Sequence, residues 1–258
     1  MQSLSNRVLI ERDGPVTTVT INRPERRNAV DAETAVQLAG AFESFEADEQ
    51  SSVAILTGAG NTFCAGYDLQ SVSDGALAYD PDAGGPMGPT RMLLSKPVIA
   101  AVEGHAVAGG LELALWCDLR IASETSIFGV FCRRWGVPLI DGGNIRLPRL
   151  IGHGRAMDMI LTGRPVNADE ALQFGLANQV VEAGEALAAA KGLAMRIASF
   201  PQTCMRTDRM TAHRQWGMPL EEALHMEAVE GVKPLAEEAV KGAARFTKGA
   251  GRSGNFDD

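Results

Sequence analysis

A short β-branched run, a glycine turn and a short apolar helix follow one another repeatedly through the first two-thirds of this chain. Val53 to Thr57 closes on Gly58 and Gly60, and Val98 to Val102 leads to Gly109-Gly110 and a helix over Gly110 to Trp116. Leu119 to Ala122 then returns as strand. Short buried strands alternating with helices place the chain in the α/β class, although no internal sequence repeat is detectable. Ahead of this pattern, Val8 to Arg12 and Val16 to Ile21 flank Asp13-Gly14, which is a hairpin signal. Asp31 is placed to cap a helix whose apolar positions Ala35, Val36, Leu38, Ala39, Phe42 and Phe45 recur at helical spacing. From His153 onward the pattern is helical, over Arg155 to Leu161, Ala168 to Phe174, Ala186 to Ser199 and Leu220 to Val229. Two segments read as having little structure of their own. Asp74 to Pro89, with four glycines and three prolines, is expected to be a flexible loop or lid, and Gly249 to Asp258 a frayed tail. The expected organisation is a core over residues 1–195 followed by a helical region over 196–258.

Composition narrows the function. With 258 residues and 45% apolar content, a sizeable core is expected. The formal net charge of -8 argues against nucleic acid as a partner, which needs a basic face, yet local arginines on an acidic protein still hold an anionic ligand. The cysteines Cys64, Cys117, Cys132 and Cys204 show no CxxC spacing, so a reduced, cytoplasmic chain is expected. Met1 to Arg12 lacks a signal-peptide apolar stretch. Pro97 to Cys117 is the most apolar stretch, but Glu103, Gly104, His105, Gly109, Gly110 and Glu112 interrupt it. It reads as core crossed by a functional loop rather than as a membrane span. His105, His153, His213 and His225 show no metal-ligand spacing.

Three segments carry chemistry: Phe63-Cys64-Ala65-Gly66-Tyr67-Asp68-Leu69, His105 to Leu113, and Phe128 to Leu147. In the first two, a loop entering a helix leaves backbone N–H groups free, and glycine lets a ligand approach them closely. Two such amides converging on one point make an oxyanion hole, where one donor is typically worth roughly 3–4 kcal/mol of barrier. A helix N-terminus adds about half a positive charge there. Glu112 lies in the first turn after Gly109-Gly110, where a carboxylate orients water or moves a proton. Each piece has a plainer alternative. A glycine pair before a helix serves tight packing, and Glu112 alone serves the helix dipole. Gly58-Ala59-Gly60 is similar to the start of a dinucleotide loop, but Phe63 stands where the third glycine belongs. His105 and the cysteines read as core residues.

Taken together, the segments resemble the crotonase (enoyl-CoA hydratase/isomerase) superfamily over nearly the whole chain. The resemblance runs from Asn22-Arg23-Pro24 and Asn28-Ala29 through Leu56-Thr57-Gly58, Phe63 to Leu69 and Lys96 to Val102. It continues with Gly109-Gly110-Leu111-Glu112-Leu113-Ala114, Cys117-Asp118, Phe128-Gly129 and Leu147-Pro148-Arg149-Leu150-Ile151-Gly152. Leu161-Thr162-Gly163 and Ala171 to Ala177 complete it, in order and at fitting spacings. The resemblance implies a core of ββα units spiralling over two sheets, with C-terminal helices that build homotrimers or hexamers. It implies that the Tyr67 and Gly109 amides hold a thioester carbonyl. It implies that Ala65, Gly66, Asp68 and Leu69 line the channel for the coenzyme A arm, and that Arg26, Arg27 and Ala29 lie near its adenine and phosphates. Val107, Gly110, Cys132 and Trp135 complete the implied substrate-binding set. Coenzyme A enters as part of the substrate, and no separate cofactor is implied.

The hydratases of the superfamily hold one water between two glutamates. Glu112 matches the first, but the second falls on Cys132, in Val130-Phe131-Cys132-Arg133-Arg134. A thiol with an ordinary pKa of about 8.5 is a poor substitute for a carboxylic acid, although neighbouring arginines lower it. Its alternative is a small residue lining the pocket. Asp141 is the candidate to restore the missing carboxylate; its alternative is a turn residue capping the next helix. The expected function is hydration of a 2-enoyl-CoA thioester through a stabilised enolate. Isomerisation, thioester hydrolysis, dehalogenation and non-catalytic acyl-CoA binding are the alternatives.

Overall fold

A computed structural model describes residues 6–75 and 79–251. The chain divides into two compact units, Met1–Ile197 and Ala198–Asp258. In the first, β1 (Val8–Asp13) and β2 (Val16–Ile21) form the antiparallel hairpin that Asp13-Gly14 predicts, with Gly14 at φ +55° in the turn. Then β3 (Val53–Gly58), β4 (Val98–Val102), β6 (Leu119–Ser123) and β9 (Gln179–Val181) add in parallel to give the six-stranded order β1-β2-β3-β4-β6-β9. A second sheet has the order β5-β7-β8, from His105–Val107, Ile127–Gly129 and Val166–Asn167. Its strands have only two or three residues each, too short for periodicity to reveal.

Helix α1 (Ala32–Ala47) begins where expected, the Asp31 carboxylate accepting the Thr34 N–H at 2.9 Å. Its buried face runs Thr34, Ala35, Leu38, Ala41, Phe42, Phe45. Val36, expected on that face, is 73% exposed because it lies a full 100° around the helix from Ala35. Helix α2 (Leu69–Ser73) is a single turn, and α3 (Gly109–Trp116) is buried at every position. A helix that is apolar all round belongs in a core. The Trp116 ring packs edge-on against Phe42 with centroids 4.7 Å apart. Large side chains buried this fully contribute roughly 1.5–3 kcal/mol each. After α3 come α4 (Gly143–Ile151), α5 (His153–Thr162), α6 (Ala168–Phe174) and α7 (Ala186–Ala198).

The loop Asp74 to Pro89 departs from expectation over its second half. Residues 76–78 lie outside the described residues, but Met87 and Pro89 are buried and Thr90 follows them into the interior. Most of the tail expected to fray also lies outside the described residues.

The second unit contains α8 (Gln202–Arg214), α9 (Leu220–Glu230) and a last helical run through α10 (Val232–Pro234) and α11 (Val240–Thr247). The Glu238 carboxylate accepts the first free amides of α8, Thr203 N–H at 3.1 Å and Cys204 N–H at 2.8 Å. Among the described residues, no helix is long and apolar enough to cross a membrane.

Candidate active site

The segment Phe63 to Asp68 runs between β5 and the loop before α1. On one side, Cys64 N–H donates to His105 O at 2.9 Å and Val107 N–H to Cys64 O at 3.1 Å. On the other, Val30 N–H donates to Gly66 O and Asp68 N–H to Val30 O, both at 2.8 Å. These bonds leave the Tyr67 N–H with no acceptor among the described residues. Gly109 opens α3, so its N–H has no partner within the helix and none elsewhere among those residues. Gly66, at φ +99°, lets the residue before Tyr67 pass close to the start of α3: a Cβ there would sit 3.0 Å from the Gly109 nitrogen and 2.9 Å from Ala108 Cβ. Ala108 itself holds φ +54° and ψ −124°, a left-handed backbone costing on the order of 1–3 kcal/mol that aims the start of α3.

Glu112 is the one charged residue of α3, and it is only 2% exposed. Its Oε1 accepts the Asp141 N–H at 2.9 Å and the Gly143 N–H at 2.8 Å. Gly143 is glycine for this reason, since a Cβ there would come within 2.9 Å of Glu112 Cγ and Oε1. Burial raises the Glu112 pKa to about 7, opposed by the Gly143 hydrogen bond and reinforced by the negative charge of Asp141. A carboxyl group balanced near neutrality is suited to proton transfer.

Asp141, 3% exposed, does not cap α4. The helix starts from Gly142 with no side-chain cap, and Asp141 Oδ1 instead accepts the Met87 N–H at 3.0 Å and the Thr90 hydroxyl. Its pKa is also raised by burial, with the bonds to Thr90 and Met87 and the charges of Arg91 and Arg146 acting the other way. Glu112 Oε2 and Asp141 Oδ2 have no protein donor among the described residues.

Both carboxyl groups line one cavity of about 620 Å³, together with the expected residues Arg27, Ala65, Tyr67, Leu69, Val107, Gly109, Cys132 and Trp135. Arg26, Ala29, Gly66, Asp68 and Gly110 are not on its wall. Asp68, expected in the coenzyme A channel, pairs with Arg23 at 3.1 Å and accepts the Gln70 N–H at the start of α2. Gly110 serves packing, since a Cβ there would lie 2.1 Å from Cys64 O. Ala29 is buried, its carbonyl accepting from Arg23, and Arg26 is exposed. The Cys132 thiol is pushed up in pKa by burial and then by the Glu112 charge, so it stands protonated at neutral pH. The arginines beside it do not produce a thiolate.

Sequence reasoning missed Met87, Thr90 and Arg146. The Met87 side chain covers Gly109, with its Sδ 2.5 Å from where a Cβ would be. Arg146 donates to Asp141 O at 2.9 Å and to Thr90 O at 2.7 Å. No local pattern marks these residues: Met87 and Thr90 reach Asp141 from 54 and 51 residues away, and Arg146, five residues after Asp141, ties it to Thr90 across 56. Among the described residues, no group of three or more His, Cys, Asp or Glu side chains is gathered as a metal site.

An α/β core that brings a buried carboxyl group of near-neutral pKa beside two free amides, in an apolar cavity, is a scaffold for enolate chemistry. Residues 11–250 match the enoyl-CoA hydratase/isomerase family. The chain is similar to the enoyl-CoA hydratase EchA19 of Mycobacterium tuberculosis, with 35% identity covering 97% of this chain and 96% of that one. It is similar at the same identity to the carnitinyl-CoA dehydratase of Salmonella enteritidis, over 91% of this chain and 97% of that one. The crystal structure of enoyl-CoA hydratase EchA1 from Mycobacterium marinum superposes with a TM-score of 0.89 at 35% identity, covering 95% of this chain and 96% of that one. This chain is therefore an enzyme of the enoyl-CoA hydratase/isomerase family, with the crotonase fold.

Proposed function

We propose that this enzyme adds water across the double bond of a 2-enoyl-CoA thioester. The observation that carries the reading is that Glu112 and Asp141 are each fixed through one oxygen and keep the other free, in the cavity that holds the two free amides. The thioester carbonyl would accept the Tyr67 and Gly109 N–H groups, and the N-terminus of α3 would favour the charge that develops on it. Two carboxyl groups in one cavity resist ionising together. In this reading Glu112, whose pKa is raised to about 7 by burial and by the charge of Asp141, carries the proton. Asp141, whose Thr90 and Met87 hydrogen bonds favour the ionised form, is the base. Ionised Asp141 then takes a proton from water as the water oxygen bonds to the β carbon. The displaced π electrons pass to the thioester oxygen as an enolate. Collapse of the enolate takes the Glu112 proton onto the α carbon, which completes the addition of one water. Arg27, Ala65 and Leu69 would border the coenzyme A arm, and Cys132 and Trp135 the acyl group. A non-catalytic binder is disfavoured, because a binding pocket has no use for two buried carboxyl groups whose pKa values burial raises.

The acyl chain is neutral in this reading. A carnitinyl chain carries a fixed cation, for which aromatic faces are the natural partners. Here the Arg134 guanidinium lies 4.3 Å from the centre of the Phe131 ring and that of Arg91 5.9 Å from the centre of the Tyr79 ring, on rings that both line the cavity. The test is to incubate pure protein with a panel of acyl-CoA thioesters and identify the products by mass spectrometry. Neutral 2-enoyl thioesters should gain the mass of one water, and a chain of equal length bearing a trimethylammonium group should react at least about tenfold more slowly, for roughly 1.4 kcal/mol of lost interaction. Unchanged enoyl thioesters alongside shifted double bonds or released free coenzyme A would replace hydration by isomerisation or hydrolysis.

We further propose a homotrimer or hexamer built through the second unit. Leu220, Leu224, Val229, Val232, Leu235, Val240 and Phe246 are each more than half exposed, an amount of apolar surface unusual for a monomer. Light scattering at micromolar concentration should give three or six times the 27.4 kDa chain mass. A 27.4 kDa particle would refute it.

A further inference from the structure

We propose that Thr90 and Arg146 are positioning residues, which close a hydrogen-bonded ring around Asp141 and hold its free oxygen at the reacting water. The proposal rests on the reading of Asp141 as a proton-transfer group.

The ring has three sides. The Thr90 hydroxyl donates to Asp141 Oδ1, Arg146 Nη1 donates to Asp141 O at 2.9 Å, and Arg146 Nη2 donates to Thr90 O at 2.7 Å. The backbone is shaped to admit it. At Gly142, with φ +95°, a Cβ would lie 2.2 Å from Arg146 Nη1, so any side chain there displaces the guanidinium. At Gly85 a Cβ would lie 2.0 Å from Thr90 Oγ1 and 2.5 Å from Asp141 Oδ1. Thr90 is 1% exposed, and among the described residues its hydroxyl donates to the Asp141 carboxylate, a buried bond to a charged group. Through the Asp141 N–H the same ring reaches Glu112 Oε1, so one device sets the spacing of both carboxyl groups. Through the Met87 N–H it also fixes the loop whose Met87 side chain packs where a Cβ on Gly109 would be.

A hydroxyl donor favours the ionised form of Asp141, the form that removes a proton from water. The other charges facing Asp141 are Arg91 beside Thr90, Arg146 on α4 and Glu112 on α3, with the Tyr67 phenol from the segment before α2. None of these is altered when Thr90 is changed.

The experiment compares Thr90→Val, Thr90→Ser and Asp141→Asn for kcat, KM, pH profile and Tm, with the thioester that the acyl panel identifies. Thr90→Val should lower kcat about 10- to 100-fold, the worth of one buried hydrogen bond to a charged group, while KM stays within about twofold. The acid limb of its pH profile should move upward, because Asp141 loses a bond that holds it ionised. Thr90→Ser restores the hydroxyl and should recover most of the rate and the original limb. If Thr90→Val does not fold, Thr90→Ala carries the same test. A folded valine or alanine variant with the parent rate and pH profile, beside an inactive Asp141→Asn, overturns the ring and leaves the role of Asp141 standing. Loss of rate with an unmoved acid limb and no rescue by serine also overturns it, because that is the signature of a packing defect. An active Asp141→Asn instead removes the reading of Asp141 itself.

Discussion

Glu112→Gln should lower kcat by a factor of roughly 10²–10⁴, the usual worth of a general acid or base, while the folded protein becomes more tolerant of alkaline conditions. The substitution is nearly isosteric, and the new amide's carbonyl oxygen keeps the Asp141 and Gly143 N–H donors that Glu112 Oε1 now accepts. The lost quantity is therefore the exchangeable proton. Because burial lifts the Glu112 pKa to about 7, the alkaline limb of the kcat/KM profile should have its midpoint near 7 in the parent and vanish in the variant. Stability gives a second, independent reading. A carboxyl group whose pKa is raised on folding contributes stability that is fully present below its unfolded pKa and is lost as pH rises through the folded value. Ionising buried Glu112 thus costs on the order of 3 kcal/mol, and the neutral glutamine escapes that cost. The Tm of Glu112→Gln relative to the parent should rise as pH passes from about 5 to about 8, the window that spans the unfolded and folded values. A variant with the parent's rate, or with a Tm difference that ignores pH, would sink the assignment.

The elements legible in the sequence are those whose signal is local. The turn at Asp13-Gly14, the Asp31 cap and the apolar run of α3 each depend on residues within one turn or one strand, and each is found where it was expected. Glu112 is legible on a local signal as well, its place in the first turn after Gly109-Gly110, and it lines the same cavity as Gly109. What failed to show was contact at long range. Asp141 precedes a glycine pair and so looks like a cap for α4, but its side chain reaches back 51 residues to Thr90 and 54 to Met87. The loop holding those residues looked unstructured because glycine and proline are also what a tightly packed crossing requires. Gly88, at φ +93°, passes so close to α1 that a Cβ would lie 2.6 Å from Ala35 O. Asp68 shows a further limit, because sequence spacing gives the position of a residue in a motif and not the partner of its side chain, which here is Arg23.

The sharpest test of the site is the comparison of Asp141→Asn with Cys132→Ser. Asparagine retains an oxygen for the Met87 N–H and the Thr90 hydroxyl, so the ring around residue 141 can persist while the charge is gone. Asp141→Asn should then lose about as much activity as Glu112→Gln, roughly 10²–10⁴-fold, because water addition needs one group to take a proton and another to give one. Both groups serve the same event, so the double variant should lose far less than the product of the two single losses. Cys132→Ser should stay within about threefold of the parent, short of the roughly 10²-fold that marks a general acid or base. Its thiol is held protonated by burial and by the charge of Glu112, and a neutral hydroxyl of similar size fills the same wall. The opposite pattern, with Asp141→Asn active and Cys132→Ser dead, would make the thiol the second proton carrier. If both variants keep their rate and Glu112→Gln alone loses it, a single carboxyl group carries the chemistry. Double-bond isomerisation, in which one group removes a proton and returns it two carbons away, would then replace hydration.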